Sequence, residues 1–339
     1  IHGTQARPGA SDFSCRSTGP CWPSPSRQPA TGSCNDLRMG PLTDRRYLRD
    51  SPYRETANLV ARSNLHERYG RGDWFRWIAS QAPWPDHGWV LEVGCGTGRL
   101  WADAADIVPD SSRVVLCDLS PTMVRESLAV ADGATGGSVA ALPQLPFPDD
   151  SFDLVIVSMV MQHLDVPEPA IAELARVTAP RGALVIGAAG EQHLDEIMVL
   201  RRRFGDDDAT IGGAFGAGGL DAATERVARS FSRVDWQRYE DQLVVDDREA
   251  IVDYLRSWSP LDDADDDTLQ RLRAEVDRQF DAEFGVMTIT KDVACIVARS
   301  PSWQRSSWPG SRTSARRSPS RRCASADEGR PLDAVPLIR

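Results

Sequence analysis

Three short apolar runs frame the chain. Val90-Leu91, Leu154-Val155-Ile156-Val157 and Leu184-Val185-Ile186 show no polar alternation. That is the pattern of strands covered on both faces of a parallel sheet. Strands predicted at 89–93, 113–117, near 138–141, 153–158 and 183–188 alternate with helices at 98–106, 121–131, 167–178 and 191–204. Such alternation predicts an α/β domain with helices on both faces of the sheet. Residues 55–80 predict two helices ahead of the first strand. Two further strands are expected around 231–245 and 286–298, with helical sequence at 247–258 and 266–281 between them. The Gly-rich stretch 212–219 has no Gly-Lys-Ser/Thr after it, so it reads as a flexible connector rather than a phosphate loop.

The two ends read differently. Residues 1–38 are rich in Pro, Ser, Gly and Arg without hydrophobic period, and are expected to be a disordered leader. Residues 300–339 are expected to be a disordered basic tail, which leaves 39–299 as the folded domain. Hydrophobic residues make up 41% of the 339, enough for a sizeable core. The formal net charge of -10 argues against nonspecific attraction to nucleic acid. No apolar stretch is long enough to span a bilayer, and the N-terminus shows no signal-peptide pattern. Of the seven cysteines, Cys95, Cys117 and Cys295 fall in the glycine loop described next or in strands, and read as reduced thiols of a cytoplasmic protein. Cys15, Cys21 and Cys34 have no histidine partners at zinc-site spacing, so no metal site is expected there.

The chemistry is concentrated where the first strand ends. Val90-Leu91-Glu92-Val93 runs into Gly94-Cys95-Gly96-Thr97-Gly98, and a second apolar run, Val114-Val115-Leu116-Cys117, ends in Asp118. Glycine tolerates positive φ and lets a ligand approach the backbone. A following helix aims its N-terminal N–H groups at the loop, and a carboxylate at the end of the next strand can accept from ribose hydroxyls. The arrangement suits a nucleoside cofactor. A dinucleotide fold uses the same acidic residue, but its Gly-x-Gly-x-x-Gly fingerprint requires glycine at 99, where this chain has Arg99.

The glycine run with Glu92 resembles motif I of the class I S-adenosylmethionine (SAM) dependent methyltransferases. Leu116-Cys117-Asp118-Leu119-Ser120-Pro121-Thr122-Met123 is similar to the second motif of that family. Leu145-Pro146-Phe147-Pro148-Asp149-Asp150-Ser151-Phe152-Asp153 is similar to the stretch leading into its fourth strand. Leu174-Ala175-Arg176-Val177-Thr178-Ala179-Pro180-Arg181-Gly182-Ala183-Leu184 resembles the helix, turn and fifth strand after it. The likeness is strongest from 88 to 190 and nearest to the quinone-biosynthesis-like branch acting on small molecules. It implies a Rossmann-like seven-stranded, mostly parallel sheet with the last strand antiparallel. It also implies a lid made of the N-terminal helices and the helical insertion before the last strand. SAM is the implied cofactor and a small, partly apolar metabolite the implied methyl acceptor, with no nucleic-acid partner.

By the same resemblance Gly94, Cys95, Gly96, Thr97 and Gly98 pass under the methionine part of SAM, and Glu92 orders that loop. Asp118 takes the ribose, Leu119 and Met123 lie near the adenine, and Ser158 ends the fourth strand on the cofactor side. Many relatives carry an acid after the third strand. Here Val139-Ala140-Ala141-Leu142 has none, which leaves the backbone of Ala141 and Leu142, or Gln144, for the adenine.

His163 follows the fourth strand and is either a catalytic base for a hydroxyl acceptor or a structural histidine tying its loop to backbone. Arg62, His66 and Tyr69 belong to the N-terminal helices, where Arg62 is a candidate for the carboxylate of SAM. Trp74, Phe75, Trp77 and Trp258 are either core or an apolar acceptor wall. His87 and His193 have no assigned role. The acidic run 262–267 reads as helix N-terminal electrostatics rather than a metal site. The competing readings are an NAD(P)-dependent oxidoreductase and a noncatalytic SAM-binding partner protein.

Overall fold

The computed structural model describes residues 52–302, apart from 208, 210–212 and 259. The expectations for 1–38 and for the tail beyond 302 lie outside the described residues. Two helices come first, α1 (Pro52–Tyr69) and α2 (Trp74–Gln81), the second capped by the Asp73 carboxylate, which accepts from the amides of Phe75 and Arg76. The alternating part follows as β1 (Gly88–Val93), α3 (Arg99–Asp103), β2 (Ser112–Asp118), α4 (Pro121–Val130), β3 (Ala134–Val139), β4 (Phe152–Ser158), α5 (Glu168–Val177), β5 (Thr178–Ala189) and α6 (Asp195–Arg203). Next come α7 (Gly213–Gly216), α8 (Gly219–Ala228), β6 (Phe231–Arg238), β7 (Asp241–Val245), α9 (Arg248–Arg256), α10 (Asp266–Ala282), β8 (Met287–Lys291) and β9 (Val293–Pro301).

Seven strands form one sheet in the order β3-β2-β1-β4-β5-β9-β6. β1 pairs in parallel with both β2 and β4, and β9 runs antiparallel between β5 and β6. The expected Rossmann-like sheet with an antiparallel last strand is therefore the observed one. The predicted apolar runs lie in it with Val90, Leu91, Leu154, Ile156, Leu184 and Ile186 buried. Strand order reverses between β1 and β4. A crevice opens at such a switch point, outside the carboxyl ends of the strands.

Several sequence expectations need correction. β3 begins at Ala134, not near 138, because Gly136 and Gly137 hide its strand character. A Cβ on Gly137 would lie 2.5 Å from Cγ1 of Val124, so the glycine is there to let α4 pack closely on the sheet. The single strand expected at 231–245 is two, β6 and β7, and that at 286–298 is two, β8 and β9. β7 and β8 leave the large sheet and pair with each other. The Gly-rich stretch is not a plain connector: where it is described it forms α7 and the start of α8. The helix predicted at 98–106 is shorter, running only from Arg99 to Asp103. The acidic run does cap a helix, with Asp265 accepting from the amide of Thr268 at 2.9 Å.

β7, β8, α9, α10, α6 and α1 share a second hydrophobic core around Leu65, Ile197, Leu243, Ile251, Val276 and Ile289. Within it Lys291 Nζ donates to Asp241 Oδ2 at 2.6 Å, with the two side chains 4% and 1% exposed. The large sheet is braced elsewhere by Arg176. Its guanidinium donates to the carbonyls of Phe147 and Leu145 and to the carboxylates of Asp149 and Glu173. Glu173 in turn accepts from the Leu145 amide at 2.7 Å. This network, with Phe147 set edge-on against Phe152, holds the Leu145–Asp153 stretch onto α5. Arg176→Ala leaves these partners without their donor. It is expected to cost about 2–4 kcal/mol, measured by urea unfolding.

Candidate functional site

The glycine loop and the end of β2 are joined by backbone hydrogen bonds. The amides of Gly94 and Cys95 both donate to the Cys117 carbonyl, at 2.7 and 3.0 Å. The Gly96 amide donates to Asp118 Oδ2 at 3.0 Å, and the Ser120 amide to Oδ1 at 2.9 Å. The three glycines have φ of 78°, 51° and 83°. What surrounds them divides their roles. A Cβ on Gly94 would stand 2.2 Å from Val160 Cγ2, and one on Gly98 would stand 2.8 Å from the Ser127 Cα. Protein backs onto these two. A Cβ on Gly96 would meet nothing within 4 Å, so that face of the loop is open to a ligand.

Electrostatics separate the nearby acids. Burial pushes the Asp118 carboxyl up, against the amides of Ser120, Gly96 and Leu119, which hold it down. Each of its oxygens has taken one backbone donor and keeps a further acceptor site. Glu92 is 3% exposed and accepts from Trp101 Nε1 at 2.6 Å. Burial pushes its carboxyl up to about 8, with the indole hydrogen bond opposing and Asp118 adding to it. Glu92 thus orders the loop by clasping α3 to β1 from inside. The Cys95 thiol is buried against Ser127 Oγ and raised well above its ordinary range by burial, so this residue offers the open side backbone only.

The remaining residues of the expected cofactor set lie along the same edge. Thr97 and Leu119 are half-buried, and Met123 is buried in the first turn of α4 behind Asp118. The Ala140 amide donates to the Asp118 carbonyl at 3.0 Å, which brings Ala141 and buried Leu142 beside the end of β2. Gln144 is exposed, with its amide on the Ala141 carbonyl. Ser158 is buried, and its hydroxyl accepts from Trp74 Nε1 at 3.1 Å, so it anchors α2 across the end of β4.

A cavity of about 520 Å³ adjoins this edge. Arg99, Met159, Gln162 and His163 line one part of it, from the turns that follow the glycine loop and β4. Met159 sits at φ 55°, a strained conformation for a side chain of its size, held by its amide on the Gly187 carbonyl at 2.9 Å. His66, Trp74, Tyr254, Trp258, His193 and Lys291 line the rest. Of the aromatic candidates, Trp74, Phe75 and Trp258 reach this cavity, whereas Trp77 packs against Trp74 and Tyr239. Arg62 also lines it, but its guanidinium donates to the Ser257 carbonyl at 2.6 Å and lies 3.6 Å over the Trp258 ring. It builds the wall by tying α1 to the end of α9. His193 and Lys291 were not singled out by sequence. Each stands alone in its stretch without a motif, and only the pairing of β5 with β9 and of β7 with β8 carries them here.

The methyltransferase domain family matches residues 91–186 of this chain. A malonyl-[acyl-carrier protein] O-methyltransferase of Hahella chejuensis is 38% identical over 109 residues, covering 32% of this chain and 39% of that protein. A ubiquinone/menaquinone biosynthesis C-methyltransferase of Vibrio campbellii is 33% identical over 115 residues, covering 32% of this chain and 44% of that protein. The chain thus spans less than half the length of these curated relatives. Among solved structures, phosphoethanolamine N-methyltransferase 2 of Haemonchus contortus in complex with S-adenosyl-L-methionine superposes with a TM-score of 0.49. It is 17% identical and covers 76% of this chain and 60% of that one.

The raised Glu92 carboxyl makes stability depend on pH. The native state keeps a proton that the unfolded chain, at an ordinary 4.5, releases. That contribution is complete below the unfolded value and is lost as pH rises toward about 8. In urea unfolding of the cofactor-free chain, Glu92→Gln is expected to remove a slope of at most about 1.4 kcal/mol per pH unit over this window.

Proposed function

We propose that this chain, whose residues 91–186 carry a methyltransferase domain, transfers a methyl group from SAM to a small, partly apolar metabolite. The observation that carries the reading is the open face of Gly96 hydrogen-bonded to Asp118. It is a backbone cradle with no room taken by protein, beside a carboxylate with acceptor sites left. The residues fit the cofactor. Gly94 to Gly98 would take its amino-acid part against backbone, Asp118 its ribose hydroxyls, and Leu119, Met123, Ala141 and Leu142 its adenine. When bound, SAM supplies a methyl group on a sulfonium sulfur, an electrophile already activated by its charge.

The chain's own residues then have three tasks: alignment, exclusion of water and removal of a proton where the acceptor carries one. α1 and α2 cover the cavity from the N-terminal side, and Trp74, fixed by Ser158, forms its floor next to the end of β4. His163 lines the cavity, where it would contact the acceptor. The apolar walls support a ring-bearing acceptor. Acidic net charge supports a small molecule over a nucleic acid. Buried free Cys95, Cys117 and Cys295 support a cytoplasmic setting. No helix among the described residues is long and apolar enough to cross a membrane.

Isothermal titration tests the cofactor. SAM and S-adenosylhomocysteine are expected to bind and NAD not to, and Asp118→Ala is expected to weaken SAM binding at least about tenfold. Binding of NAD alone would favour the oxidoreductase reading. Release of S-adenosylhomocysteine across a panel of ring acceptors tests turnover. His163→Ala is expected to lower that release more than it lowers SAM affinity, and no release with any acceptor would favour a noncatalytic SAM-binding protein.

A further inference from the structure

Two imidazoles in the cavity wall each keep a ring nitrogen without a hydrogen bond in the fold. His66 on α1 and His193, between β5 and α6, stack with ring centroids 5.8 Å apart and planes 12° from parallel. Nδ1 of each is buried without a hydrogen bond. His193 is 2% exposed, and both rings line the cavity. A buried, unpaired ring nitrogen costs stability, so a fold that keeps two of them side by side has a use for them outside its own packing.

Their surroundings say what they would bind. The charged groups facing them are Lys291 and its partner Asp241, while Arg62, Glu67, Arg71, Asp73 and Arg99 line the rest of the cavity, as does His163. Burial, then Lys291, push His66 down to about 4, with Asp241 opposing. Burial, His66 and Lys291 push His193 down as well. Both rings are therefore neutral at pH 7, and each neutral imidazole keeps one bare nitrogen that accepts hydrogen bonds. A neutral donor matches such a pair. An anion would need one ring to take up a proton first. Trp74 and Phe75 on the same cavity supply apolar wall for an aromatic body.

We propose that His66 and His193 form the subsite for a neutral phenolic hydroxyl on the methyl acceptor, accepting its O–H hydrogen bond and then its proton. The proposal deepens the methyltransferase reading and rests on it for the donor. In the step, the hydroxyl oxygen bonds to the methyl carbon and the carbon–sulfur electron pair leaves with sulfur. The O–H proton passes to an imidazole nitrogen, and oxygen keeps the electrons of that bond. A weakly basic imidazole does not ionise a free phenol, but the hydroxyl becomes far more acidic as its oxygen forms the new bond. The acceptor class this implies is a hydroxylated aromatic ring, methylated on oxygen.

The test is binding of beta-naphthol to the full chain, with its methyl ether and the corresponding naphthoate as comparators, followed by fluorescence with and without S-adenosylhomocysteine. The wild type is expected to prefer naphthol over both comparators by at least about tenfold, since a site built around a hydroxyl rejects the analogue lacking it. His66→Phe and His193→Phe should each abolish that preference while leaving the affinity for S-adenosylhomocysteine within about twofold and the melting temperature equal or higher. A purely structural pair would lower the melting temperature instead. Imidazole nitrogen NMR of the wild type needs no variant: naphthol, and not its ether, should move the signals of two of the five histidines. The proposal is overturned if the wild type binds naphthol no better than the ether, if the Phe variants keep the preference, if only His163→Ala removes it, or if no histidine signal moves. Loss of S-adenosylhomocysteine binding with the naphthol preference intact would instead remove the cofactor reading.

Discussion

The hydrogen bond from the Gly96 amide to the Asp118 carboxylate is the constraint on which the site depends. It needs β1 and β2 to end level with each other, which their parallel register from Gly88↔Ser112 to Val93↔Cys117 provides. It also needs a positive φ at Gly96, and room for the loop to double back over the Cys117 carbonyl. Gly94 and Gly98 supply that room by letting Val160 and Ser127 press in from behind. The loop is thus supported on both sides and left bare at its middle, a preorganised surface that does not have to rearrange to receive a ligand.

Around that edge the fold stores unfavourable groups that packing alone would not select. Glu92 is buried with its carboxyl raised, Met159 sits in a left-handed conformation, and two imidazoles each keep Nδ1 without a hydrogen bond. An unsatisfied buried nitrogen costs on the order of 1–3 kcal/mol. Met159 and the two imidazoles lie where the large sheet meets the second core of α1, α6, α9, α10, β7 and β8, while Glu92 lies under the glycine loop against α3. The buried Lys291–Asp241 pair belongs to the same junction. Its positive member helps to keep both histidines neutral, so the second core and the histidine face of the cavity are electrostatically coupled.

The order of strands and helices through β5, the glycine loop, Asp118 and the Leu145–Asp153 stretch leading into β4 were legible in the sequence. All of them depend on interactions between neighbours in the chain or on unbroken apolar runs, and such patterns survive in one dimension. The start of β3 was not, because its glycines answer to the packing of α4 across the sheet rather than to strand propensity. The division of 231–245 and 286–298 was also hidden, since a strand that changes partner at Arg238 or Asp292 keeps the same residue preferences on either side. Ser158 was legible as a residue at the end of β4, but not as the anchor of Trp74, a contact made across 84 residues of chain.

By itself the sequence determined the fold class and the edge formed by the glycine loop and Asp118, because backbone conformation at glycine and a carboxylate at a strand end are local requirements. Only the tertiary structure decided what lines the cavity beside it. His66 and His193 acquire meaning from their stacking, their shared burial and the charge of Lys291, and these arise when separate segments are brought together and water is excluded from between them.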